Sequence, residues 1–313
     1  MARPKVLVSL NEGPEAAIRL LSKECDIIAA PPSREAILER VPGVDAIYWC
    51  CKVKLDAEII KAAGPGLRAV STMSAGYDHI DVRLLKEMGI PFGNTASQLT
   101  DAVADTAVSL VLAVTRRLKE GHRTVERGQW DAGLLGIDIA GSTVGIVGLG
   151  GIGQTFAKRI KAFNVGRILY TGHSPKPEAA ALGAEFVPFD KLVEQSDVIV
   201  VACPLNAETR GMFNAEVFKK MKPTSVVVNV GRGECIDQDA LVDALRKKEI
   251  FGAGLDVMVP EPLPKDHPLI TLDNCVLYPH IGSATVGTRA AMAAGAAENI
   301  LCALKGQPMP SPV

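Results

Sequence analysis

The chain alternates short runs of β-branched and aliphatic residues with longer stretches in which apolar positions recur every three or four residues. KVLVSL (5–10), DIIAA (26–30), AIYWC (46–50), LRAVST (67–72) and IPFG (90–93) have the length and side-chain types of strands. Between them, EAAIRLLSKE (15–24) and DAEIIKAAG (56–64) have helical spacing. A second series opens with STVGIVGLGGIG (142–153) and continues through RILYT (167–171), VIVVAC (198–203), SVVVNV (225–230), GAGLDV (252–257) and CVLYP (275–279). Helical patterns alternate with these six strands as GQTFAKRIKAF, NAEVFKKM and QDALVDALRKK. Such alternation predicts an α/β protein with two parallel sheets, a small α/β unit followed by a doubly wound, Rossmann-type dinucleotide-binding domain.

Two helical segments depart from the amphipathic pattern. TDAVADTAVSLVLAVTRRL (100–118) is apolar on most faces, which predicts burial between domains or subunits, with Thr100 or Asp101 as its cap. The Ala-rich stretch at about 287–305 follows the last strand and is expected to pack back onto the first unit. The smaller domain is then discontinuous, 1–99 with 287–313, and the larger covers 100–286.

Composition changes this picture little. A length of 313 residues suits two domains, and 48% apolar with 22% charged residues is globular. The net charge of −1 argues against nucleic acid or an anionic membrane as partner. No run approaches a membrane span, and the apolar start is too short for a signal-peptide core, so a cytoplasmic protein is expected. The seven cysteines show no CxxC spacing, which predicts free thiols in a reducing compartment and no metal site.

The chemistry gathers at predicted strand ends. Gly148, Gly150 and Gly153 fit GxGxxG between a strand and a helix, with Gly151 and Ile152 in the same turn. That context predicts a turn whose helix N-terminus meets a dinucleotide pyrophosphate. Arg232, Glu261 and His280 each follow a strand of the same series, on the edge where open α/β sheets bind ligands. A histidine can protonate a carbonyl oxygen, a nearby carboxylate fixes its tautomer, and an arginine forks onto a substrate carboxylate. In the first unit, Ser74–Gly76 of STMSAGYDHID offers small residues for a backbone anion nest, and an ordinary turn fits nearly as well. His79 in that loop reads as a capping or surface residue.

The loop after RILYT lacks the acid that ordinarily accepts the ribose hydroxyls of NAD. Gly172 stands there, followed by His173, Ser174 and Lys176, which supply donors and positive charge. That predicts a preference for NADPH, with NADH as a weaker alternative.

Together, VGIVGLGGIG, VNVGRGECID, GLDVMVPEPLP and LYPHIGSAT resemble the D-isomer-specific 2-hydroxyacid dehydrogenase family over essentially the whole chain. STMSAGYDHID, LYTGHSPKP and EPLPKDHPLITLDNCVLYPHIGSAT resemble its animal branch, which reduces glyoxylate and hydroxypyruvate. The resemblance implies His280 as acid–base, Glu261 as its partner and Arg232 as carboxylate and carbonyl binder. It also implies Ala75 and Gly76 as N–H donors to the substrate carboxylate, and Ser283 at the substrate. Asp256 would contact the nicotinamide carboxamide, and Pro204, Val230 and Gly282 would line the cofactor. A homodimer built on the long helix is implied too, as are two doubly wound domains, the smaller one flavodoxin-like, with the active site in the cleft between them. Two features differ from the mammalian pattern. DAGLLGIDIAG, between Trp130 and Ser142, looks shorter and lacks a further tryptophan, and His173 and Lys176 stand where that pattern has two arginines. A phosphoglycerate-type dehydrogenase and a nucleotide-sensing corepressor share the fold, and the absence of an added domain or long tail favours the reductase.

Overall fold

The computed structural model describes residues 2–9, 15–130 and 133–313. Leu10, at the end of the first predicted strand, and Asp131 and Ala132 of the shortened segment lie outside them. The chain packs as two compact units, Met1–Leu99 with Ser283–Val313, and Thr100–Gly282.

The first unit carries β1 (Lys5–Ser9), β2 (Asp26–Ala30), β3 (Ala46–Trp49), β4 (Ala69–Thr72) and β5 (Phe92–Gly93). They form a parallel sheet in the order β2-β1-β3-β4-β5. Side chains of β3 and β4 are buried on both faces, because helices cover both sides of such a sheet. The helix Val286–Leu304 packs against β3, β4 and the helix Glu15–Leu21. Its Asn299 is fully buried and satisfied: it donates to Ser71 Oγ at 3.2 Å and the Asn94 carbonyl at 3.0 Å, and accepts from Ser311 N at 3.0 Å. The chain then bridges Gly93 at Pro312.

The second unit carries β6 (Thr143–Val147), β7 (Arg167–Thr171), β8 (Ala184–Phe186), β9 (Val198–Val201), β10 (Val226–Asn229), β11 (Gly252–Leu255) and β12 (Cys275–Leu277). All pair in parallel, in the order β12-β11-β10-β9-β6-β7-β8. The strand order reverses between β6 and β9, the crevice where ligands of such sheets bind. The sequence pattern predicts six strands here and the sheet has seven. β8 is a three-residue edge strand with no buried side chain, so no apolar run marks it.

The long helix runs Ala96–Thr115, earlier at both ends than its apolar pattern suggests. Thr100 and Asp101 lie within it instead of capping it; Asn94 Oδ1 accepts the Ala96 N–H at 3.4 Å. Asp101 and Asp105 both pair with Arg159, at 2.7 and 2.6 Å. The helix stops because Arg117 turns left-handed at φ +52°, and a separate helix, Leu118–Glu126, follows. By length and by a mean hydropathy of 1.2, Ala96–Thr115 is a candidate membrane span, contrary to expectation, and half of that stretch is buried within the protein. Lys119 donates to the carbonyls of Ile270, Leu272 and Cys275 at 3.1, 2.6 and 2.8 Å, tying the new helix to the segment that leads into β12. Burial holds its ammonium group below the usual lysine range.

Candidate active site

The glycine turn links β6 to the helix Gly151–Ile160. Gly148 takes φ +96°, and a Cβ there would lie 2.9 Å from the Cys203 backbone, so only glycine fits. A Cβ on Gly153 would come within 2.2 Å of the Gly148 carbonyl oxygen, which fixes how closely the helix approaches the turn. In contrast, a Cβ on Gly150 would meet nothing within 4 Å. A turn that is tight beneath and open in front, at a helix N-terminus, fits the pyrophosphate of a dinucleotide. Gly151 is exposed and Ile152 half-buried in that first helical turn.

Arg232, Glu261 and His280 lie beyond the carboxyl ends of β10, β11 and β12. These strands are neighbours, so the three loops share one edge of the sheet. His280 Nδ1 is 2.8 Å from Glu261 Oε2. A carboxylate only accepts, so Nδ1 carries the proton of this bond, and Nε2 is the nitrogen left for other chemistry. Glu261 Oε1 also accepts the Met258 N–H at 3.2 Å.

His280 is held by its backbone. It adopts φ +57°, an uncommon conformation for a residue with a Cβ. Its N–H donates to the Asp256 carbonyl at 2.8 Å. The Asp256 carboxylate, 2% exposed, accepts from Ile281 N at 2.8 Å and Gly282 N at 2.9 Å. Thr106 of the long helix donates to the Gly282 carbonyl at 3.3 Å. Asp256 thus organises the loop carrying His280, in addition to the cofactor contact that resemblance implies for it.

Two further residues steady the other loops, and sequence reasoning passed over both. Asn229 is fully buried at the end of β10; its Oδ1 accepts Gly231 N at 3.0 Å and its Nδ2 donates to the Arg232 carbonyl at 2.8 Å. A lone amide closing the run VVVN was the available signal. Gln238 receives the Val259 N–H at 2.9 Å on Oε1 and donates through Nε2 to the Val259 carbonyl, which clamps the approach to Glu261. No local pattern marks Gln238, because its partner is distant in sequence.

Val230 is buried and donates to the Val201 carbonyl at 3.1 Å; Pro204 is exposed after β9. Gly172, His173, Ser174 and Lys176 form an exposed loop after β7, and a Cβ on Gly172 would meet open space. In the first unit, the carbonyls of Ser74, Ala75 and Gly76 accept from Thr95 N, Asn94 Nδ2 and Ser74 Oγ at 3.0, 3.0 and 2.7 Å. Ser283 accepts through its carbonyl from Thr285 N at 2.9 Å. His79 is half-buried, and its carbonyl accepts the Leu55 N–H at 2.9 Å. The cysteines are free thiols, and burial pushes Cys275 up to about 12. Among the described residues, no cluster of His, Cys, Asp or Glu has the arrangement of a metal site.

A parallel seven-stranded sheet, a glycine turn at its switch point and a histidine–carboxylate pair on the same edge suit a nucleotide-dependent dehydrogenase. The chain belongs to the D-isomer specific 2-hydroxyacid dehydrogenase family, whose NAD binding domain matches residues 108–282. It is 49% identical over 286 residues to the human glyoxylate reductase/hydroxypyruvate reductase, covering 90% of this chain and 87% of that one. A crystal structure of a glyoxylate reductase from Paecilomyes thermophila superposes with a TM-score of 0.92 at 32% identity, covering 100% and 99% of the two chains. The NADPH-dependent glyoxylate/hydroxypyruvate reductase of Sinorhizobium meliloti, in complex with NADP and malonate, superposes at 0.87 and 32%, covering 100% and 97%.

Proposed function

We propose that this chain reduces glyoxylate and hydroxypyruvate to glycolate and D-glycerate, with NADPH preferred over NADH. The observation that carries the reading is the 2.8 Å His280–Glu261 pair on the edge that also holds the glycine turn. The substrates follow the activities named for the human and fungal relatives, and the cofactor follows the NADP complex of the bacterial one. A bound nicotinamide dinucleotide supplies the hydride that reaches C2 of the 2-oxo acid.

The chain's own residues do the rest. His280 gives the proton on Nε2 to the substrate oxygen, and Glu261 keeps the ring in the tautomer and orientation that allow it. Arg232 binds the carboxylate and carbonyl oxygens in a planar fork. The N–H groups of Ala75 and Gly76 share the carboxylate, and Ser283 lines the substrate position. Gly148, Gly150, Gly151, Ile152 and Gly153 cradle the pyrophosphate, and Pro204, Val230, Asp256 and Gly282 line the nicotinamide half. His173, Ser174 and Lys176 receive a 2′-phosphate, where the missing carboxylate at Gly172 removes a repulsion.

The deciding experiment is kcat/KM for hydroxypyruvate with each cofactor. A charge-assisted hydrogen bond contributes about 1.5–3 kcal/mol, so a single net bond to the 2′-phosphate predicts a preference for NADPH of roughly ten- to a hundredfold. A preference for NADH removes the role given to the loop after β7, and no turnover with either removes the substrate assignment.

We also propose a cytoplasmic homodimer. Thr106, Val108, Ser109 and Leu112 of the long helix are only half-buried in one chain, which suits coverage by a second copy. Light scattering is expected to give twice the 33.1 kDa chain mass; a monomer mass contradicts it.

A further inference from the structure

The loops after β7 and β9 meet across the glycine turn. His173 Nδ1 lies 3.6 Å from Glu208 Oε2, with both side chains 77% exposed. Neither loop is slack at this contact. Asn206 Oδ1 accepts the N–H groups of Glu208 and Thr209, both at 2.9 Å. Thr209 Oγ1 accepts the Asn206 N–H at 2.9 Å and donates to the Pro204 carbonyl at 2.8 Å. This closed turn sets where Glu208 projects. Opposite it, the buried Tyr170 phenol accepts the Lys176 N–H at 2.8 Å and holds the basic loop down.

We propose that Glu208 is a cofactor-selectivity residue, supplying from the loop after β9 the carboxylate that Gly172 withholds after β7. The inference rests on the reading above, that the adenosine end of the cofactor lies against the loop after β7. A 2′-phosphate at that loop must take His173 from Glu208 and sit beside a second negative charge. A 2′-hydroxyl meets neither obstacle and gains an acceptor. Glu208 therefore moves the chain toward NADH and narrows the NADPH preference that His173, Ser174 and Lys176 establish. Such selectivity arises from a repulsive element as much as from attractive contacts.

Isothermal titration of NADP+ and NAD+ into the wild type, Glu208→Gln and Lys176→Ala tests both readings separately. Glu208→Gln is expected to raise the ratio Kd(NAD+)/Kd(NADP+) by about five- to twentyfold at low salt, the scale of like charges a few ångströms apart beside water, and by less at high salt. If that ratio stays within twofold of wild type, or moves toward NAD+, Glu208 has no such role. Lys176→Ala is expected to weaken NADP+ alone. If Lys176→Ala changes nothing while Glu208→Gln shifts the ratio, the basic-loop reading fails and the Glu208 inference stands. If Lys176→Ala weakens NADP+ and Glu208→Gln is silent, the reverse holds.

Discussion

His280→Asn is expected to lower kcat for hydroxypyruvate by about a hundred- to ten-thousandfold, the range supplied by a positioned proton donor. Asparagine keeps a side-chain donor near Glu261, but its amide is too weak an acid to give up a proton. Cofactor affinity should stay within a factor of two to three, because the glycine turn is independent of the ring. Measuring kcat together with NADPH affinity separates the two effects. A variant with near-wild-type kcat removes His280 from the proton transfer. A variant that loses cofactor binding as well shows instead that the loop has collapsed. The second outcome has a structural route, since His280 N donates to the Asp256 carbonyl while its neighbours Ile281 and Gly282 donate to the Asp256 carboxylate.

Arg232→Ala is expected to lower kcat/KM for glyoxylate by about a hundred- to ten-thousandfold, from two charge-assisted hydrogen bonds of roughly 1.5–3 kcal/mol each. The loss falls on transition-state binding, so kcat/KM reports it more fully than kcat alone. Arg232→Lys should recover only part of it, because an ammonium group cannot reproduce the planar fork. Unchanged kcat/KM in the alanine variant would take the substrate carboxylate away from Arg232. Asn229 keeps the loop backbone in place in both variants, through its bonds to Gly231 and to the Arg232 carbonyl, so neither substitution should alter the fold.

Both predictions start from positions that were legible in the chain itself. Val-rich runs such as SVVVNV and VIVVAC can only be buried strands, and a residue just past such a run must lie at the sheet edge. Arg232, Glu261 and His280 are found there for that reason. GLGGIG was legible because its strand and helix flank it. β8 was not, because three residues with no buried side chain leave no hydrophobic trace. The end of the long helix was not legible because helix-forming residues run on through Arg116 and Arg117 into Leu118, and it is the left-handed backbone of Arg117 that breaks the helix in two. Gln238 and Glu208 escaped notice for a third reason: each acts on a loop from a different strand end, and no one-dimensional spacing encodes that meeting.

Asn299 gives the molecule an order of assembly. It is buried against Ser71, Asn94 and Ser311, so the sheet of the first unit is finished only by a segment translated after all of Thr100–Gly282. On the ribosome, the second unit has every strand it needs while β1 to β5 still wait for the helix that covers them. The first unit is therefore expected to complete its packing after the second, against the usual amino-first order, which pulse-labelled hydrogen exchange during refolding would show. The half-covered sheet of the first unit is the surface that a nascent chain must shield longest.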